Sequence, residues 1–129
     1  MEQKHRKLLL KDLGSRLYCG VKVTTNNPAV KLGIVSGISI EGKITVSTKH
    51  ADIVFDVTEV KPYLRSMSSM TEKEAEEYRN IDNRSYSCPI DYAHIPASER
   101  IDWLNAHKFD YRGLIPNLAI EAPNDMYKI

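Results

Sequence analysis

The sequence predicts an α+β fold on three observations. The first fifteen residues carry leucines at helical spacing. From about residue 20 to 60 the apolar period falls to two, with turn residues at short intervals. Beyond Ser66, helix-start signals and prolines replace the strand pattern. With 129 residues, 42% hydrophobic and 27% charged, the chain is near the size of one domain and long enough to bury a core without disulfide or metal staples. A single compact unit over 1–129 is expected, with a helix and barrel-like part in 1–65 and a helical and irregular part in 66–129.

Residues 3–13 read as a short amphipathic helix. Leu9, Leu10 and Leu13 fall on one side, Lys7, Lys11 and Asp12 lie around the rest, and Gly14 and Ser15 end it. Val21 and Val23 then alternate with Lys22 and Thr24 before a turn at Asn26, Asn27 and Pro28. Lys31 to Ile40 is rich in Ile and Val but interrupted by Gly33 and Gly37, the pattern of a bulged or bent strand. Glu41 and Gly42 supply a tight turn into a strand from Lys43 to Ser47. His50, Ala51 and Asp52 mark the next break, and Ile53 to Val57 is the last strand expected. Pro62 cannot donate to a central ladder, so Thr58 to Leu64 is expected to leave the sheet as a loop or helical turn. Four or five short strands joined this tightly suit a small, bent antiparallel sheet or an SH3-like barrel. Their connections are too short for the crossover that parallel strands need.

In the second half, Thr71 followed by Glu74 fits a capping box, and Glu72, Glu74, Glu76 and Glu77 load the early turns of a helix over about 71–80 with the charge its dipole favours. Ala75 and Tyr78 are its inward candidates. Residues 82–97 are polar, hold Pro89 and Pro96, and read as a loop. A second helix is expected from Ser98 to about His107, with Ile101 and Leu104 on one face. Gly113, Pro116 and Pro123 then forbid another long element, and the extended tail from Leu114 is apolar enough to pack over the body.

The formal net charge of +1 conceals an asymmetry. Residues 1–65 hold 11 Lys and Arg against 6 Asp and Glu, and 66–129 hold 7 against 11, so a +5 half faces a −4 half. The basic half is a reason to consider nucleic acid or an acidic partner. No window approaches the eighteen apolar residues of a membrane span, and Leu8 to Leu10 is too short for a signal-peptide core. A cytoplasmic protein with no membrane partner is expected, with Cys19 and Cys88 as reduced thiols.

Few chemistries find their residues. Cys88, Asp91, His94, Glu99, Asp102, His107 and Asp110 are the available metal ligands, but their spacing matches no common zinc site, so no metal and no cofactor are expected. Cys88 with His94 or His107 lacks the sequence context of a nucleophile and its base. Gly33 and Gly37 open onto no helix, unlike a phosphate-binding loop. The densest stretch runs from Asp102 to Pro116 and holds Trp103, the chain's one Trp. Within it His107, Asp110, Tyr111 and Arg112 offer a donor, an acceptor and an aromatic face to one ligand, and these four are the candidate binding residues. The structural alternative gives His107 to the negative end of a helix, Asp110 to capping or to Arg112, and Trp103 and Phe109 to the core.

Three phrases carry a family resemblance: Lys61 to Arg65 with Met67 to Glu72, Asp102 to His107 with Phe109 to Ile115, and Leu118 to Pro123 with Met126 and Tyr127. With them the chain resembles a family of small uncharacterised proteins common in gut Bacteroides-type bacteria and their prophages. The family commonly reads His His Phe Asp Tyr Arg Gly, where this chain has Lys108 in place of the second His, and often Glu Gly before Met Tyr, where this chain has Asn124 and Asp125. The resemblance implies no activity, and Lys108 weighs against a site built on paired histidines. The expectation is a non-enzymatic binding module, phage- or mobile-element-derived, acting on a protein partner. A nucleic-acid binder using the basic half, and an enzyme using His107, Asp110 and Arg112, are the alternatives.

Overall fold

The computed structural model describes the backbone of residues 2–87 and 94–127 and the side chains of residues 2–81 and 99–127. Helix α1 (Gln3–Ser15) buries Leu9 and Leu13 as its leucine spacing requires. Asp12 is also fully buried, against the expectation of an outward position, because Arg16 one turn later closes over its carboxylate.

Five strands follow: β1 (Lys22–Thr25), β2 (Gly33–Ile38), β3 (Lys43–Ser47), β4 (Asp52–Asp56) and β5 (Val60–Leu64). The expected turn chemistry holds them. Asn27 accepts the Ala29 N–H in the first connection, and Gly42 takes φ 88° in the next tight turn. The expected bulge is also present, where the β2/β3 register passes from Val35 opposite Val46 to Gly37 opposite Thr45. A Cβ at Gly33 would run into the Val46 side chain, so only glycine lets these two strands meet.

The antiparallel pairing expected for the strands of about 20–60 holds from β1 to β5, and one expectation about the sheet is corrected. Val60–Leu64 is a strand, entered through a 3-10 turn over Val57–Glu59 that Asp56 and Glu59 close as a capping box. Pro62 stands opposite Val23 of β1 and is tolerated because on its other edge the next strand, β6 (Ile120–Glu121), pairs only with Tyr63 and Leu64, so no β6 acceptor is left waiting for the N–H that proline lacks. That β5/β6 pairing is parallel, and the connection that permits it is the whole helical segment between them. The order is β4-β3-β2-β1-β5-β6, an open mixed sheet in which no described pairing joins the two ends into a barrel.

Helices α2 (Glu72–Ser87) and α3 (His94–Ala106) are both longer than the sequence predicts, so much of the 82–97 segment, which reads as a loop, is helical, and residues 88–93 lie outside the described residues. Asn and Ser cost a helix only about 0.5–0.7 kcal/mol each, too little to end one by themselves. Pro96 falls in the first turn of α3, where its missing N–H has no intrahelical partner to lose. The capping box forms as expected: Thr71 N–H donates to Glu74 at 3.0 Å and Glu74 N–H to the Thr71 hydroxyl at 3.2 Å. Inward positions differ. Glu74 and Ile81 are buried in α2, while among the described side chains of α3 Ile101 is exposed and Leu104 and Asn105 are buried.

The core lies between α1 and the inner face of the sheet, with Val23, Val35, Ile44, Val46 and Phe55 opposing Leu9 and Leu13. Leu114, Leu118 and Ala119 from the tail complete it, so both halves of the chain build one apolar cluster. Among the described residues Arg65 with Glu74 and Arg112 with Asp12 pair across the halves; Arg65 with Glu74 runs in the sense of the charge asymmetry, and Arg112 with Asp12 runs against it. No described helix is long and apolar enough to cross a membrane.

Candidate functional site

The stretch from Asp102 to Pro116 is a corner whose polar groups are largely spent on holding it. Phe109 N–H donates to Leu104 C=O and Lys108 N–H to Asn105 C=O, the paired bonds that end a helix through a left-handed residue. That residue is Lys108, at φ 61°, where glycine is usual and a side chain costs roughly 1–2 kcal/mol. Phe109, fully buried, then enters beside β5: Arg65 N–H donates to Lys108 C=O and Asp110 N–H to Arg65 C=O, both at 2.8 Å.

The four candidate residues go to different tasks. Asp110 accepts from the N–H groups of Leu114 and Ile115, each at 2.9 Å, and so holds the next turn rather than pairing with Arg112. Arg112 donates through Nε to Asp12 at 3.1 Å and through Nη2 to the Tyr111 hydroxyl at 3.1 Å. Tyr111 in turn donates to Asn105 at 2.8 Å, and its ring lies 4.9 Å from the guanidinium carbons of both Arg16 and Arg112. Arg16 is fully buried, bidentate on Asp12 and bonded to Phe109 C=O at 2.7 Å, with Nη1 left without a hydrogen-bond partner. Tyr111 and Arg112 are thus brought together with α1, while Asp110 serves its own backbone.

His107 stands apart. Its Nδ1 lies 2.9 Å from Trp103 C=O, which requires a proton on Nδ1, and its ring stacks 4.1 Å from Trp103. Trp103 is half-buried rather than core, packed between Tyr78 and Phe109 with its indole N–H on Glu77. Arg65 covers the other side of this stack, 4.2 Å over Phe109, and forms a fork with both oxygens of Glu74 at 2.7 Å. The guanidinium holds the Glu74 carboxyl at about 2.

His107 and Tyr127 together separate two clefts. One, of about 480 Å³, is lined by Lys22, His107, Lys108, Asp125 and Tyr127 among others. The second, of about 540 Å³, runs past Arg65, Glu74 and Asn124. Tyr127 is pinned between strands: its hydroxyl donates to Tyr63 C=O at 2.6 Å and accepts the Lys22 N–H at 2.8 Å, and burial pushes it up to about 12. Lys22 and Lys108 each donate one ammonium proton, to Met126 C=O and Ala106 C=O, and lie 5.7 and 5.3 Å from the Tyr127 ring centroid. No local pattern announced this cleft, since Lys22 and Tyr127 are 105 residues apart.

A third concavity, of about 360 Å³, lies on the outer face of the sheet between Lys22, Leu32, Ile34, Ser47, Thr48 and Lys49. Val35, Val46 and Phe55 point into the core, so their neighbours Ile34 and Val54 point out, 43% and 60% exposed, with Leu32 at 50%. The signal was present in the sequence: an adjacent apolar pair in a one-sided strand always leaves one member outside. Beyond β4 the described sheet carries no further strand.

Among the described residues no three His, Cys, Asp or Glu side chains gather as a metal site. Cys19 is a free, half-buried thiol, whereas Cys88, Asp91 and the His94 side chain lie outside the described residues. No protein-family model, curated protein or solved structure matches the chain.

Proposed function

We propose that this chain is a non-enzymatic binding module that takes a protein partner on the outer face of β2, β3 and β4. The observation that carries this reading is the exposed pair Leu32 and Ile34 lining a groove with Lys49 at its edge, with Val54 exposed on the same face of β4. Large aliphatic side chains left in water on a sheet face gain free energy when covered, and the lysine selects what covers them. The occupant is therefore a peptide segment with apolar residues flanked by Asp or Glu. Lys31, exposed next to Leu32, adds to the same charge.

Two further features support this reading over its alternatives. The candidate catalytic residues Asp110 and Arg112 are engaged by backbone and by Asp12, which argues for scaffold roles. Several basic residues of the first 65 are paired, Arg6 and Lys43 with Asp56, Arg16 with Asp12 and Arg65 with Glu74, so less charge remains for a phosphate backbone. The sequence resemblance extends the proposal to a protein carried on phage or mobile DNA.

Selection from a random peptide library tests it, alongside titration with 20-nucleotide single- and double-stranded DNA at low salt. Selected peptides should pair aliphatic with acidic residues and perturb the NMR signals of Leu32, Ile34 and Val54. Basic peptides, or salt-dependent DNA binding with no peptide selected, would sink the proposal in favour of another partner.

A further inference from the structure

We infer that the cleft bounded by Lys22, His107, Lys108 and Tyr127 binds the phosphate group of a small phosphate ester, at a site that adjoins the proposed partner face through Lys22. The charge is unbalanced in favour of an anion. Two ammonium groups line the cleft, and among the described residues Asp125 is the one carboxylate there, itself exposed. Each ammonium uses one proton on a carbonyl, Lys22 on Met126 and Lys108 on Ala106, and an ammonium has three. A phosphate dianion accepts from several donors and neutralises two such charges; lysine serves as a point-charge partner to phosphate without the planar fork that a carboxylate rewards. At about 480 Å³ the cleft is in the range of small-molecule sites, and Ala106 and Met126 offer an apolar wall for the body of the ester.

The backbone argues the same way. Lys108 is the described non-glycine residue with positive φ, and it ends a helix at the position where glycine fits without strain. A strained residue that persists at the lip of a cleft points to use of its side chain. Burial above all, with the nearby charges of Lys22 and Arg65 and against the opposing effect of Cys19, holds the Lys108 ammonium below its ordinary range, a condition that a bound anion relieves.

The same strain makes the inference testable without unfolding the protein. Lys108→Gly removes the ammonium while relaxing the backbone, so its melting temperature should equal or exceed that of the unaltered chain. Phenyl phosphate, inorganic phosphate and benzoate are titrated at fixed ionic strength, followed by the NMR signals of His107 and Tyr127. Phenyl phosphate should saturate with a Kd of about 1 mM or below. Lys108→Gly and Lys22→Met should each weaken it at least about tenfold, while Lys11→Met, on the exposed side of α1, leaves it unchanged. Phenyl phosphate that fails to saturate, that binds no tighter than inorganic phosphate or benzoate, or that binds Lys108→Gly as well as the unaltered chain would overturn the assignment.

Discussion

The corner from Asp102 to Pro116 and the outer face of β2 to β4 use their side chains in opposite ways. In the corner, polar groups are turned inward: Asp110 holds two backbone N–H groups, Tyr111 joins Asn105 to Arg112, and Arg112 reaches α1 through a carboxylate with no exposure. On the sheet face, apolar groups are turned outward: Leu32, Ile34 and Val54 stand half exposed with few internal duties. Inward polar groups report what the fold needs, because an unpaired buried charge is costly. Outward apolar groups report what the fold does not need, and these are the better pointer to a partner.

Substitutions that break this contrast should differ most in stability. Asp12→Ala is expected to be the most damaging, about 3–5 kcal/mol by urea denaturation, since it strands buried Arg16 and releases Arg112. Asp110→Ala should cost about 2 kcal/mol, because the Leu114 and Ile115 N–H groups lose their acceptor. Val54→Thr on the open face should change stability by less than about 0.5 kcal/mol, the ordinary range for surface positions. A Val54→Thr cost comparable to that of Asp110→Ala would erase the distinction between the two regions.

Titration sharpens it further. Glu74 sits at about 2 against an ordinary 4.5, so the stabilisation it gives with Arg65 is complete above 4.5 and is lost as pH falls from there toward 2. Glu74→Gln should flatten the acid limb of a stability profile in that window. Tyr127 sits at about 12 against an ordinary 10, so its contribution is complete below 10 and is lost as pH rises through 12. Tyr127→Phe should remove that alkaline slope. Asp56 is also held well below the usual carboxylate range by Arg6 and Thr58, but on the surface, where ion pairs contribute little.

Legibility in the sequence followed locality. The α1 leucines, the capping box of Thr71 and Glu74, the Asn27 and Gly42 turns and the bulge before Gly37 are contacts within a few residues, and each was readable from spacing. Strand β5 was missed because Pro62 looks disqualifying until β6, some 58 residues later, is seen to stop short of it. The helical continuation of α2 to Ser87 is hidden by residues of modest helix propensity, a cost too small to end a helix by itself. Of the four candidate residues, His107 alone lines a described cleft, and the density around it reflects a corner joining α1, α3 and β5. The Lys22 and Tyr127 cleft and the exposed apolar residues on β2 and β4 depend on long-range pairing and on which strand face is inside.

The most direct test compares one selected peptide's affinity for two variants of the intact chain. Ile34→Asp places a like charge on the face expected to receive an acidic, apolar segment, and should weaken the peptide at least about tenfold. His107→Ala alters the corner's cleft and should leave the affinity within about twofold. The reverse pattern, with loss at His107 and none at Ile34, would contradict the assignment of the sheet's outer face as the binding surface.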